Sequence, residues 1–286
     1  MSDSEPHGTK DSWRARAFGL GGAIGVLGGL IGLGGAEFRL PVLHGLFRFP
    51  IHQAVRFNLL ISLATVIVSL VARLAFSSFP ALGPLAGEIL AVAAGAVAAA
   101  WFGTGLLGRL SERSLTLLVA GLLAGIAGLL LAEAALPVGF SFGLPDIVPL
   151  RIAIGIAAGA AIGMVSSLLG VAGGELIIPT FIFVFGTDVK TAGTASLIIS
   201  LPTVLVGVVR YWRQGAYRSR GPLVDVVAPM TAGSAVGAVL GAGLVGMVPA
   251  GLLKLVLGLI LAVSALKMLA ARTRKAAVPP LRPQDR

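Results

Sequence analysis

The chain contains no cysteine. Disulfides, thiolate metal sites and cysteine nucleophiles are therefore excluded. Charge is scarce as well: Asp, Glu, Lys and Arg make up 12% of residues, about half the share in a soluble domain. Away from the chain ends the aspartates are Asp146, Asp188 and Asp225. None pairs with another carboxylate along one helix, and no HExxH or GxSxG stretch occurs. An intramembrane enzyme is the weaker reading, and no cofactor or metal is expected.

What is abundant is apolar. Hydrophobic residues make up 56% of the chain and mean hydropathy is +0.97. Apolar runs of about 20 residues recur, the length that crosses ~30 Å of hydrocarbon. Period-2 alternation is missing, so strands are not expected. The composition predicts an all-α, polytopic transmembrane protein in the cell membrane, with the lipid bilayer as its surroundings. The net charge is +10. Lys and Arg cluster at segment ends and in the C-terminal tail, as the positive-inside bias requires. Nucleic acid is therefore not an expected partner. Lys10, Arg14 and Arg16 before an apolar run resemble a signal peptide. No small-x-small cleavage site follows, and the run from Gly21 has a counterpart in mid-chain.

That counterpart is an internal repeat. Shifted by 138, residues 21–73 match 159–211 without a gap at 19 of 53 positions. The pairs include Gly25/Gly163, Gly35/Gly173, Glu37/Glu175, Pro41/Pro179, Ser62/Ser200 and Thr65/Thr203. Each half reads as five elements. The first half predicts helices near 17–35, 38–49, 57–76, 85–107 and 114–133. The second predicts them near 151–170, 176–186, 192–211, 223–246 and 250–270. This amounts to about eight full transmembrane helices plus two short broken or re-entrant ones. The implied segments are a cytoplasmic tail 1–16, a repeat 17–134, a connection 135–150, a repeat 151–270 and a disordered basic tail 271–286.

Loop charge orients the halves. "RFPIHQAVR" is basic and its counterpart "GTDVKT" is not; "RYWRQGAYRSR" is more basic than "RLAFSSFPALGP"; "GRLSERS" is basic and "GMVPAG" is not. This alternation predicts halves of inverted topology, with the Lys/Arg-free connection outside and both termini cytoplasmic. Parallel halves, in which the short segments do not count as passes, rank second. Inverted repeats with broken helices are an architecture of secondary transporters.

The breaks themselves are "GLGGAEFRLP" (32–41) and "GVAGGELIIP" (170–179). Glycine lets a chain leave helical geometry, and proline suits a first helical turn. Each stretch therefore predicts a helix, an unwound turn at Gly34–Gly35 or Gly173–Gly174, and a helix restarted at Pro41 or Pro179. Two helix N-termini meeting in a cavity make an anion site. Glu37 and Glu175 are ionisable groups inside membrane segments. They serve either as proton carriers or as helix caps. Arg39 is the nearest partner for Glu37, but Ile177 replaces it in the second half.

The following helices carry "NLLISLATV" and "SLIISLPTV". Asn58 and Ser62, with Ser196 and Ser200, lie roughly on one face. With Thr194 they are candidates to hydrogen-bond an oxyanion, or to glue helices together. Pro202 is expected to kink its helix. His44, Arg48, His52 and Arg56 are placed at the cytoplasmic edge.

At these motifs the chain resembles the TauE/SafE family of membrane permeases. The family pattern is a glycine triplet, a proline some residues later, a short apolar run and an Ala-x-x-Thr/Ser helix. It is carried by "GLGGAEFRLPVL" with "AVRFNLLISL", and by "GVAGGELIIPTF" with "AGTASLIISL". Ala36 and Ala172 each replace one glycine. The Gly193–Thr194 pair of the second half gives way to bulkier residues, Arg56 among them, in the first. The resemblance implies transport of a small sulfur-containing anion such as sulfite or a sulfonate, with protons as a candidate coupling ion. A passive channel, or a permease for a non-sulfur anion, is the alternative. Oligomeric state is not readable from the sequence.

Overall fold

The computed structural model describes residues 7–76, 82–106, 147–169, 171–218 and 220–276, with 121, 124, 125, 127, 128, 131 and 145. The described residues are helical and contain no strand. The chain forms two compact units. The first comprises Met1–Leu107 and Phe140–Ala250, the second Gly108–Gly139 and Gly251–Arg286.

Among the described residues the first unit contains eight main helices. They are α1 (His7–Ile31), α2 (Ala36–Pro41, running on as a π-turn Val42–Leu46), α3 (Ile51–Phe76) and α4 (Ala86–Leu106), then α5 (Val148–Leu169), α6 (Gly174–Phe183), α7 (Val189–Arg213) and α8 (Ala228–Leu244). A turn Arg220–Pro222 and a π-turn Leu223–Val227 lead into α8. The second unit contains α9 (Ala250–Ala276). The expected element near 114–133 lies largely outside the described residues.

Among the described residues five helices are long and apolar enough to cross a membrane: Gln53–Phe76, Gly83–Trp101, Val148–Ser167, Val189–Arg213 and Arg220–Leu244. Shorter apolar helices are Gly174–Phe183 and Gly251–Val263. In α1 the arginines Arg14 and Arg16 leave only Ala17–Ile31 as an unbroken uncharged stretch. Helix α1 begins at His7, and α9 runs on to Ala276.

Two helix pairs hold the first unit together, and both cross between halves. Helix α1 lies along α8 with backbones nearly touching. A Cβ added to Gly21, Gly25 or Gly29 would fall 2.2–2.3 Å from the carbonyl oxygens of Met230, Ser234 and Ala238. Both series ascend, so the helices are parallel. Helices α5 and α4 repeat the arrangement: an added Cβ would fall 2.1 Å from the Val92 oxygen at Gly159 and 2.2 Å from the Ala96 oxygen at Gly163. Subtracting 138 converts one set of contacts into the other, residue for residue. Small residues allow such backbone approach where the surrounding lipid offers no hydrophobic drive between helices. An ion pair closes each seam: Arg14 to Asp225 at 2.6 Å, and Arg151 to a buried Glu88 at 2.6 Å.

Helices α3 and α7 occupy the same place in their halves, yet they run antiparallel. Arg56 lies over the Tyr211 ring, Leu59 approaches Gly207, and Arg73 reaches Thr194. A pseudo-two-fold axis therefore lies across the helices rather than along them, so the halves within this unit are inverted.

Candidate substrate site at the paired helix breaks

The breaks are made by glycines in left-handed backbone. Gly32, Gly34 and Gly35 have φ of 93°, 77° and 71°, and Gly173 has 80°. A side chain disfavours that region. Gly35 and Gly173 then stand as N-caps of α2 and α6. This corrects the proline reading. The helices restart at Ala36 and Gly174, while Pro41 closes α2 and Pro179 lies inside α6. A left-handed glycine is enough to turn the chain into the next helix. Proline, lacking an N–H, leaves the carbonyl four residues back without its helical donor, and the π-turn after Pro41 follows that position.

The two breaks touch. A Cβ on Gly34 would lie 3.5 Å from Ala172 Cβ. One on Gly174 would lie 3.0 Å from both Leu33 Cα and Ser196 Oγ. Ser196 is fully buried, and its hydroxyl has no hydrogen-bond partner among the described residues. In α6 the first intrahelical bonds come from Leu176 and Ile177 to the Gly173 oxygen, 3.0 Å each. The N–H groups of Gly174 and Glu175 precede them, at the positive end of the helix dipole. Glu175 is buried in this first turn. Glu37 is the second residue of α2.

The other candidates hold the breaks in shape. Asn58 donates to the Ala36 oxygen at 2.9 Å and Ser200 to the Ala172 oxygen at 2.9 Å. Thr65 and Thr203 return their hydroxyls to Ile61 and Ile199 within their own helices. Arg39 is fully buried. Its guanidinium donates to the Gly34 oxygen, to Gly35 at 3.3 Å, to Ser62 Oγ at 3.2 Å and to Thr65 Oγ1 at 2.8 Å. In the first half it therefore supports the Gly34 carbonyl, the equivalent of the one Ser200 supports in the second. It also puts a positive charge beside the breaks. Pro202 sits inside α7, which continues unbroken to Arg213.

Thr194 lies elsewhere. It meets Arg73, which the sequence reading counted as part of a loop. Arg73 is buried inside α3. It donates to Gly29 at 3.1 and 3.2 Å, to Leu30 at 2.9 Å, to Lys190 at 3.3 Å and to Thr194 Oγ1 at 3.0 Å. It thus satisfies last-turn carbonyls of α1 and bridges to the first turn of α7. An arginine in an apolar helix was the available signal, and its fit to four acceptors was not. At the equivalent positions Arg56 stacks on Tyr211, with 5.6 Å to the ring centroid, and the Arg56 oxygen accepts from Tyr217 at 3.1 Å. His44 Nδ1 lies 2.8 Å from the Phe49 oxygen, and Arg48 follows in left-handed backbone.

No group of three His, Cys, Asp or Glu residues able to hold a metal occurs among the described residues. The arrangement suits binding rather than bond-breaking chemistry. It offers helix N–H groups, a buried hydroxyl and a buried guanidinium around two glycine turns.

The family model described as Sulfite exporter TauE/SafE matches residues 2–130 and 155–285, one segment for each half. No curated protein and no solved structure matches the chain. The chain therefore belongs to the sulfite exporter TauE/SafE family, a family of membrane transporters rather than enzymes.

Proposed function

We propose that the chain is a secondary transporter moving a small sulfur-containing oxyanion, such as sulfite or a sulfonate, across the cytoplasmic membrane. The observation that carries this reading is the antiparallel pairing of α3 and α7 around two touching helix breaks. Inverted halves supply two related arrangements of one chain, each open to a different side, which is alternating access. The anion sits against the first turn of α6, with Ser196 as a hydroxyl donor and Arg39 as the nearby positive charge. Glu37 and Glu175 carry the coupled proton, because a bare carboxylate there repels the substrate. Both termini lie in the cytoplasm.

The test is sulfite flux in proteoliposomes with and without an imposed pH gradient. Uphill, saturable, pH-driven flux supports the reading. Flux that only runs downhill points to a channel, and flux of other anions but not sulfite removes the sulfur assignment. Glu37→Gln and Glu175→Gln are expected to abolish pH-driven accumulation. Unchanged pH dependence in both variants would leave those residues as helix caps only.

A further inference from the structure

A second polar feature lies away from the breaks, at the C-terminal end of α7. Trp101, Arg210, Arg213 and Gln214 line a surface cavity of about 320 Å3. Arg210 donates to the Trp101 carbonyl at 3.1 Å. Among the described residues neither arginine meets a carboxylate. Arg210 also lines a narrow inner cavity of about 20 Å3, room for about one water, together with Ser166, Ser167, Thr203 and Tyr211. Ser166 in turn donates to the Val171 oxygen and stands beside Gly173. Guanidinium, hydroxyls and helix break thus follow one another from the surface inward.

The repeat shows that the fold does not demand this chemistry. At the equivalent place in the other half stand Ala72, Ala75, Phe76 and Val239. Arg73 takes the Tyr211 position there and bonds to Gly29 and Leu30. The surface positions that are basic and polar in one half are therefore apolar in the other.

We propose that Arg210 and Arg213 form an oxyanion-capture site at the mouth of this narrow path, so that the cleft sets apparent substrate affinity. This rests on the reading of the chain as an oxyanion transporter. Guanidinium groups present forked donors that match planar and tetrahedral oxyanions. A lipid phosphate offers the same chemistry. The dissolved anion is favoured because Arg210 lines the inward path as well as the surface.

The test uses the full chain with Trp13→Phe and Trp212→Phe, leaving Trp101 as the one tryptophan of the three. It is reconstituted in phosphatidylcholine vesicles, and sulfite is titrated against chloride at constant ionic strength. Trp101 fluorescence is expected to change saturably with sulfite. The paired variant Arg210→Gln, Arg213→Gln should lose that signal and raise the KM for sulfite at least tenfold, with Vmax within twofold. The paired Lys variant should recover most of the affinity. Labelling of a cysteine at Gly83 from an unchanged side controls for altered insertion. An unchanged KM in the Gln pair overturns the capture site and leaves the transporter reading standing. An arginine-dependent Trp101 signal without sulfite flux keeps the anion site and removes sulfite as cargo. A Trp101 change produced by phosphatidylglycerol alone, and insensitive to sulfite, overturns the proposal in favour of a lipid site.

Discussion

Arg73 of the first half donates to Thr194 of the second at 3.0 Å, and 138 residues along, Tyr211 meets Arg56 in the same pairing of positions. One contact is a buried hydrogen-bonded cluster and the other a cation stacked on a ring. The two ends of an internally symmetric molecule are thus held with unequal strength.

Removing the Arg73 guanidinium leaves the Gly29 and Leu30 carbonyls without their donor. A buried group left unsatisfied costs about 1–3 kcal/mol. Arg73→Gln is expected to lower the melting temperature in detergent by several degrees. Arg73→Lys should not restore it, because one ammonium cannot reach acceptors on both α1 and α7. A Lys variant as stable as the parent would contradict the multi-acceptor role.

Arg39→Ile copies Ile177 of the second half. Ser62 can then donate to the Gly34 oxygen as Ser200 does to Ala172, so the fold should survive. The positive charge beside the breaks is gone, and the KM for sulfite should rise at least tenfold. Equal affinity in a folded protein would show that Arg39 only supports the turn.

The backbone seams leave no room for side chains. Gly25→Val and Gly163→Val push against carbonyls at 2.2–2.3 Å. Overpacking costs about 1–3 kcal/mol, and more where the obstacle is backbone. Each variant is expected to lower thermal stability, and the two by similar amounts, since they occupy equivalent places.

Asp188 caps α7, accepting from the N–H of Lys190 at 2.9 Å and of Thr191 at 3.1 Å. Partial burial raises its carboxyl pKa, but these bonds and the Thr191 hydroxyl outweigh burial and hold it below the ordinary value. A lowered folded-state pKa means stability present above pH ~4, the unfolded value, and lost as pH falls below it. Asp188→Ala should cost about 1 kcal/mol near neutral pH. The gap from the parent should narrow in acid, which thermal melts at pH 7 and pH 3.5 will read.

Single cysteines at Gly83 and Gln214 follow equivalent helices, α3 and α7. An impermeant maleimide should label them from opposite sides of intact vesicles. Labelling from one side would remove the inverted arrangement. The chain has no cysteine of its own, so no background intrudes.

The repeat was legible because Glu37/Glu175 and Pro41/Pro179 share one frame, and it carried the helix order with it. The breaks were legible as glycine clusters. Which residue restarts each helix was not, because proline and left-handed glycine give similar sequence signals and only backbone angles separate them. Ser62, Ser200 and Asn58 read as free polar groups. In three dimensions Ser200 donates to the Ala172 carbonyl in the unwound turn, Asn58 donates to the Ala36 carbonyl at the start of α2, and Ser62 accepts from Arg39. Arg73 was hidden by its place near a helix end, where a basic residue is ordinarily a sidedness signal. Its acceptors lie 43–121 residues away, a distance no local pattern encodes.

The parallel seam between α1 and α8 has a consequence for how the chain is made. Roughly 200 residues separate Ile31 from Ala228. At about 5–20 residues per second of synthesis, the first helix waits roughly 10–40 s for its partner. During that interval Gly21, Gly25 and Gly29 face lipid or the insertion machinery instead of a helix. The α5 seam waits for nothing, because α4 is already in place when α5 emerges. Assembly is therefore staggered: one seam closes during translation, and the other only near its end.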